Sequence, residues 1–248
     1  MFSKLKKFIT ATNILIAVLI LLYFLDRFLP FPEGYDGFNM WDKDSSAAFN
    51  YIFGNCGGLL TNYMALGSSL SPYGTSFYRH LTSMLLHGHI LHLIANVVGL
   101  YFIGNYAEKR FGWWLTYLVF IIVGSTEGYI TDPLYFVIAP DNKEATLAMP
   151  SLGASGGIFG IIGFTLAALF FDIKSFKQID KTTIIVSAVY GFLTTWVVSL
   201  GWTTVCHNVS MVLGLAIGTA LILPFFLLKK GKFGAAPKEN MTEGDFGE

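Results

Sequence analysis

The chain has 248 residues, of which 54% are hydrophobic and 13% charged, and its formal net charge is zero. An average soluble domain carries about 25% charged residues, so with a mean hydropathy of +0.58 the chain has too little polar surface for a soluble globule, and a bilayer is its natural solvent. Two cysteines, Cys56 and Cys206, imply no disulfide framework.

Three lysines, Lys4, Lys6 and Lys7, precede an apolar run from 8 to 29 that ends at Asp26-Arg27 and Leu29-Pro30. The run is longer than a signal-peptide core and lacks a small-residue cleavage site, so it is read as a retained transmembrane helix. A spanning helix needs about 20 apolar residues. Further spans are expected over about 79–104, 112–131, 153–171, 182–200 and 205–228, the third opening on Trp113-Trp114 as interfacial aromatics do. Segment 30–78 is expected to form a long outer loop and 132–152, with Pro133, Pro140 and Pro150, a second one. Residues 1–7 form a cytoplasmic N-terminus, 8–230 the membrane domain and 231–248 a cytoplasmic tail.

Lysines and arginines sort to one side of this arrangement: Lys4–Lys7, Lys109 and Arg110, Lys174, Lys177 and Lys181, then Lys229, Lys230 and Lys232. By the positive-inside rule that side is cytoplasmic. Dropping one span would split the lysines between both sides.

Polar and ionisable groups inside spans are functional hypotheses. The second span holds His87, His89, His92 and Asn96, and on a helix His92 and Asn96 share a face. The fourth opens with Gly153-Ala154-Ser155-Gly156-Gly157, after Pro150 and Ser151. From Ser155 to Asp172 a helix covers about 25 Å, less than the roughly 30 Å hydrocarbon core. Ser155 is therefore expected at a helix start below the outer surface, where free N–H groups face a developing oxyanion. A serine needs an adjacent base. The sixth span supplies His207, with Ser210, Gly214 and Gly218 as a small face for close helix packing. Each feature alone has a plain structural reading: a small-residue packing face with an incidental serine, hydrogen-bonded core histidines, or interfacial charges at Arg79 and Glu108. Zinc is disfavoured because HExxH is absent and the cysteines are not at ligand spacing. Glu127 and Asp132 are placed near the outer end of the third span, with no role.

Together these residues resemble the rhomboid intramembrane serine proteases. The GxSG motif stands as Gly153-Ala154-Ser155-Gly156, and HxxxxHxxxN as His87, His92 and Asn96. The sixth-span histidine with small residues three and seven positions on stands as His207, Ser210 and Gly214. Tyr78-Arg79 takes the place of a Trp-Arg pair, and Glu108-Lys109-Arg110 matches a charged motif after the second helix. The resemblance covers about 75–230. It implies an all-α membrane protein, a six-transmembrane-helix bundle with a short fourth helix whose start is buried. It further implies Ser155 as nucleophile and His207 as general base, a dyad without a third carboxylate. His92 and Asn96, with the Ser155 N–H, would form the oxyanion hole, and Phe159 would pack on the catalytic histidine. Transmembrane protein substrates would enter laterally from the lipid; neither nucleic acid nor a metal or organic cofactor is implied. The short basic N-terminus points to a bacterial inner membrane. Ser210 replaces a common glycine and Cys206 a small residue, and the 132–152 loop is long. Two other classes stay open: a non-catalytic protein of the same fold that binds transmembrane clients, and a small transporter, which would predict internal repeats or two broken helices.

Overall fold

The computed structural model describes residues 9–28, 77–142, 151–171, 181–194 and 202–229. The expected N-terminal segment 1–7, most of the outer loop 30–78, residues 143–150 and the tail 231–248 lie outside the described residues. Helix α1 spans Ala11–Phe28 and the short α2 Phe77–Thr82, followed by a 3-10 turn, Ser83–Leu85. Helix α3, Ile90–Gly99, runs through a π turn, Leu100–Gly104, into α4, Asn105–Phe111. Then come α5, Trp113–Ile138, α6, Ser155–Phe171, α7, Lys181–Phe192, and α8, Trp202–Lys229. Among the described residues, three continuous helices are long and apolar enough to cross a membrane: Ile90–Phe111, Trp113–Ile138 and Thr203–Leu223. Helices α1, α6 and α7 are shorter apolar helices. The outward faces are apolar: Ile94, Ile121, Phe170, Ile185 and Val212 are exposed. Such faces suit lipid and mark the chain as an integral membrane protein.

Two expectations are corrected. The second span is not one helix over 79–104. The chain stops after Leu85, is extended at Leu86 and His89, and restarts at Ile90. His89 is the N-cap, its Nδ1 accepting the His92 N–H at 3.1 Å. A hydropathy window cannot see this break, because the residues on both sides are apolar. The third span does not stop at 131. It runs through Pro133 to Ile138, taking 132–138 out of the expected outer loop. At 26 residues it is about 39 Å long, beyond the roughly 30 Å core, so the proline sits in the outer turns, where a lost backbone bond is least costly.

Lipid tails are as apolar as leucine, so helices in a membrane hold together through close packing. Here α6 packs most extensively against α8 and next against α5. A β-carbon on Gly163 would overlap the Met211 carbonyl, and one on Gly214 would overlap the Gly160 carbonyl. Gly218 lies against Ala167 and the Phe164 backbone. On the other flank Phe120, Val123 and Gly124 of α5 meet Gly157 and Gly160 of α6. A cluster of Leu115, Val119, Val123, Phe164, Ala168 and Ile222 closes the lower half.

Helix α1 is held by its first turn. Glu108 accepts the Ala11 N–H at 2.9 Å, the Thr12 N–H at 2.8 Å and the Thr12 hydroxyl at 2.7 Å. Its carboxylate satisfies orphan donors at the positive end of the helix dipole. Tyr117 donates to Thr12 Oγ1 at 2.6 Å, and Thr10 donates to Asn105 Oδ1 at 2.9 Å.

Because the α6–α8 contact is backbone on side-chain-free backbone, Gly214→Leu is expected to destabilise by more than the about 1–3 kcal/mol of ordinary overpacking. Gly191→Ala, a position with nothing within 4 Å of the added carbon, is expected to stay within about 1 kcal/mol of wild type. Thermal unfolding of the purified variants in detergent checks both.

Candidate active site

Ser155 opens α6. The turn before it depends on Gly153, whose φ of 124° is a conformation few side-chain-bearing residues adopt. Its N–H donates to the Ser83 carbonyl at 2.9 Å, tying the turn to the 3-10 segment that precedes the second spanning helix. Its Cα face is covered by His92: an added β-carbon would stand 2.6 Å from the ring Cε1 and 2.7 Å from Nε2. Glycine is thus required twice here, for the dihedral and for the ring. Ala154 accepts the first helical bond, from Ile158 N–H at 3.0 Å. Ser155 itself is partly exposed, while Ala154, Gly156 and Gly157 are buried.

His207 comes from the second turn of α8 and is buried at 3% exposure. Its ring lies flat on Phe159, with centroids 4.4 Å apart and planes at 14°. Phe159 is one turn beyond Ser155 on α6, so the stack sets the imidazole over the serine's helix at its outer end. Neither ring nitrogen of His207 has a protein hydrogen-bond partner of normal geometry among the described residues; the Thr194 backbone lies beside the ring.

His92 and Asn96 do share a face of α3. Asn96, 1% exposed, donates from Nδ2 to the His92 carbonyl at 3.1 Å and accepts the Tyr190 hydroxyl on Oδ1 at 3.2 Å. An amide nitrogen has two protons, so one Nδ2–H remains for another acceptor. The His92 carbonyl, which can only accept, fixes which end of the amide is nitrogen, and Tyr190, from α7, donates to the other end. Its ring also covers Gly99 and stacks near Phe159 at 5.7 Å. Sequence reasoning missed Tyr190, because a lone tyrosine in an apolar helix resembles any interfacial aromatic. His87 is not on the helix of His92; it precedes the N-cap, buried, and meets the His92 ring edge-on at 5.0 Å.

The remaining expected residues divide in two. Gly156 and Gly214 are in contact with neighbouring chain, Gly156 with the Glu127 carboxyl and Gly214 with Gly160. Arg79 and Glu108 are not brought to the serine. Arg79 lies over the Tyr78 ring at 5.4 Å, and Glu108 clamps α1. Glu127, expected near the outer end of its helix, sits eleven residues before that end, beside Gly156. The expected span ends at about 131, but the helix continues through Pro133 to Ile138, which leaves Glu127 well inside it. Its spacing from Phe120, Val123 and Gly124, along one face of a helix, is the signal that finds it.

Ser155, His207, His92 and Asn96 are thus borne by three helices whose mutual contacts run through Gly153, Phe159 and Tyr190. A hydroxyl at a helix start, a stacked imidazole and an amide N–H are group types that acyl transfer uses as nucleophile, base and oxyanion donor.

Comparison with known proteins agrees in extent with this core. Residues 74–227 match the rhomboid domain family. The chain is 31% identical over 179 residues to the rhomboid protease GluP of Bacillus subtilis (strain 168), covering 71% of this chain and 31% of GluP. It is 29% identical over 169 residues to RHOMBOID-like protein 4 of Arabidopsis thaliana, 67% of this chain and 38% of that protein. It is also 33% identical over 92 residues to the inactive RHOMBOID-like protein 8 of the same plant, 37% of this chain and 23% of that protein. The chain spans about a third of the length of the first two.

Gly153→Ala is expected to cost more than about 1 kcal/mol, since alanine at positive φ is strained and its methyl would displace the His92 ring. Gly128→Ala, with open space around it, is the matched control; unfolding midpoints of the two variants settle the difference.

Proposed function

Because the chain belongs to the rhomboid family, we propose that it is an intramembrane serine endopeptidase working through a Ser155–His207 dyad. The observation that carries this reading is the His207 ring stacked on Phe159, one turn beyond Ser155, with the Thr194 backbone beside the ring. Stacking holds the ring by its face and does not engage the lone pair that must take the proton.

In this reading Ser155 Oγ attacks the carbonyl carbon of a transmembrane substrate, and its proton passes to His207. The oxyanion is received by the second Asn96 Nδ2–H, the His92 imidazole and the Ser155 N–H. Collapse expels the amine, which takes the proton from His207. Water then attacks the acyl-enzyme with His207 again as base, returning Ser155 and releasing the new carboxylate. The substrate enters laterally from the lipid and must unwind locally to present its carbonyl. The reading calls for no metal or organic cofactor and no nucleic acid. It places six helices across a bacterial inner membrane with both termini cytoplasmic, as the lysine pattern supports.

The similarity to an inactive relative favours a second reading, a rhomboid-fold protein that holds transmembrane clients without cutting them. A fluorophosphonate probe separates the two. Covalent labelling of Ser155 and cleavage of a reporter transmembrane protein support the protease; an intact reporter and an unlabelled, folded protein support the client binder.

Ser155→Ala and His207→Ala are expected to abolish cleavage with the fold intact, and full cleavage by purified Ser155→Ala would sink the assignment. Asn96→Ala should lower kcat by about 10²–10³, the usual cost of one oxyanion donor. His89→Ala should keep kcat and lose about 1 kcal/mol of stability, because its role is a helix cap. Steady-state cleavage together with thermal unfolding distinguishes these patterns.

A further inference from the structure

One polar side chain next to the serine has no task in the dyad. Glu127 extends the α5 stripe of Phe120, Val123 and Gly124 by one turn, at the level where α6 begins. Its carboxyl group lies where a Gly156 side chain would be, against the residue that follows Ser155. From the other side Ser210 donates its hydroxyl to Glu127 Oε2. Ser210 Oγ also stands 2.9 Å from the Cys206 carbonyl, and the Cys206 thiol is within hydrogen-bonding range of the same carboxyl. Cys206 directly precedes His207, and Ser210 follows it by one turn. Ser210 and Cys206 are buried at 0% and 3% exposure. One carboxyl group therefore touches the start of the nucleophile's helix and grips the base's helix on both sides of the base.

We propose that Glu127 is a positioning residue of the active site: by filling the Gly156 cradle and accepting the Ser210 hydroxyl, it fixes the start of α6 and the rotation of α8 relative to each other, and so the approach of Ser155 to His207. The inference rests on the proteolytic reading. The contacts between α6 and α8 lower in the bundle are glycine on backbone; they set separation but present no directional bond. The Glu127–Ser210 bond supplies direction. At a side-chain radius of about 5–6 Å, a 20° rotation of α8 would move the imidazole by about 2 Å, and a 1 Å misplacement can cost about 10²-fold in rate. An apolar residue at 127 would fill the space without holding Ser210. The sequence departures at 206 and 210 fit the same account: both provide groups that meet this carboxyl, where an alanine or glycine would not.

The test uses the full-length protein in liposomes with a reporter transmembrane substrate, comparing wild type with Glu127→Ala, Glu127→Gln, Ser210→Ala and the Glu127→Ala/Ser210→Ala double variant. Glu127→Ala is expected to lower kcat by about 10–100-fold with KM changed by less than about threefold. Glu127→Gln, which keeps the size and one acceptor oxygen, recovers most of that loss. Ser210→Ala lowers kcat, and the double variant falls no further than the worse single change, because both remove one bond. Thermal unfolding is read alongside to separate a fold defect from a rate defect. Wild-type kcat in Glu127→Ala, a drop in unfolding temperature without a drop in kcat, a glutamine variant as impaired as alanine, or multiplicative single effects would each overturn the positioning role. A wild-type protein that neither cleaves nor takes the fluorophosphonate at Ser155 removes the proteolytic reading and this inference with it; an active wild type beside an unaffected Glu127→Ala removes the inference alone.

Discussion

The meeting of α6 and α8 without side chains between them is the constraint on which the rest of the molecule depends. Gly163 faces the Met211 carbonyl and Gly214 faces the Gly160 carbonyl. Association in a bilayer gains little from hiding apolar surface, so stability comes from contact distance. Dispersion contacts fall off steeply with separation, and any added carbon on these glycines would force the two helices apart. The same closeness brings Phe159 under His207. A looser pair of helices would leave the ring without its stacking partner.

The second constraint is the buried start of α6. Non-helical backbone at membrane depth persists only where protein or water satisfies it. Here Gly153 gives its N–H to Ser83, and the helix starts on Ala154. Phe120, Val123 and Gly124 press from α5, and His92 covers Gly153 from α3. The neighbours that fix the turn come from three separate elements: the 3-10 turn at Ser83, α3 and α5. The position of Ser155 is therefore a property of the bundle, and no segment of the chain specifies it alone.

Much of this was legible in the sequence, for physical reasons that can be named. Apolar runs mark the helices because a bilayer demands them, and the polar residues in those runs mark the site because they are costly there. Ser155, His92, Asn96 and His207 stand out as candidates for that reason, and α6 begins at the serine, as its length relative to the bilayer leads one to expect. The failures have causes as specific. The expected end of the third span at about 131 falls short, because a proline in the outer turns of a 26-residue helix costs little and the helix runs on. That error hid Glu127, which a shorter helix would have placed near its rim. The break before Ile90, at Leu86-His87-Gly88-His89, was missed because a single glycine is tolerated inside an apolar run, and the histidine that caps the new helix is not a residue type that marks a helix start. Glu108 was grouped with the site, yet it serves α1, some hundred residues earlier in the chain, and no local pattern encodes such a partner.

The polar groups around the serine differ in how they are held, and the difference fits the roles proposed for them. Asn96 is fixed at both ends of its amide, by the His92 carbonyl and the Tyr190 hydroxyl. His89 is spent on its own helix. A group that must present a proton to a fixed point gains from such bonds, since a preorganised donor needs no rearrangement when charge appears. A base is different: the lone pair of one nitrogen must stay open, while the rest of the ring can be held. His207 is supported through its face by Phe159, with the Thr194 backbone beside it. Stacking orients the imidazole without engaging the lone pair that must take the proton. The small residues of α6 and α8 make that arrangement reachable, so the glycines that set the distance between the helices also decide what the histidine is free to do.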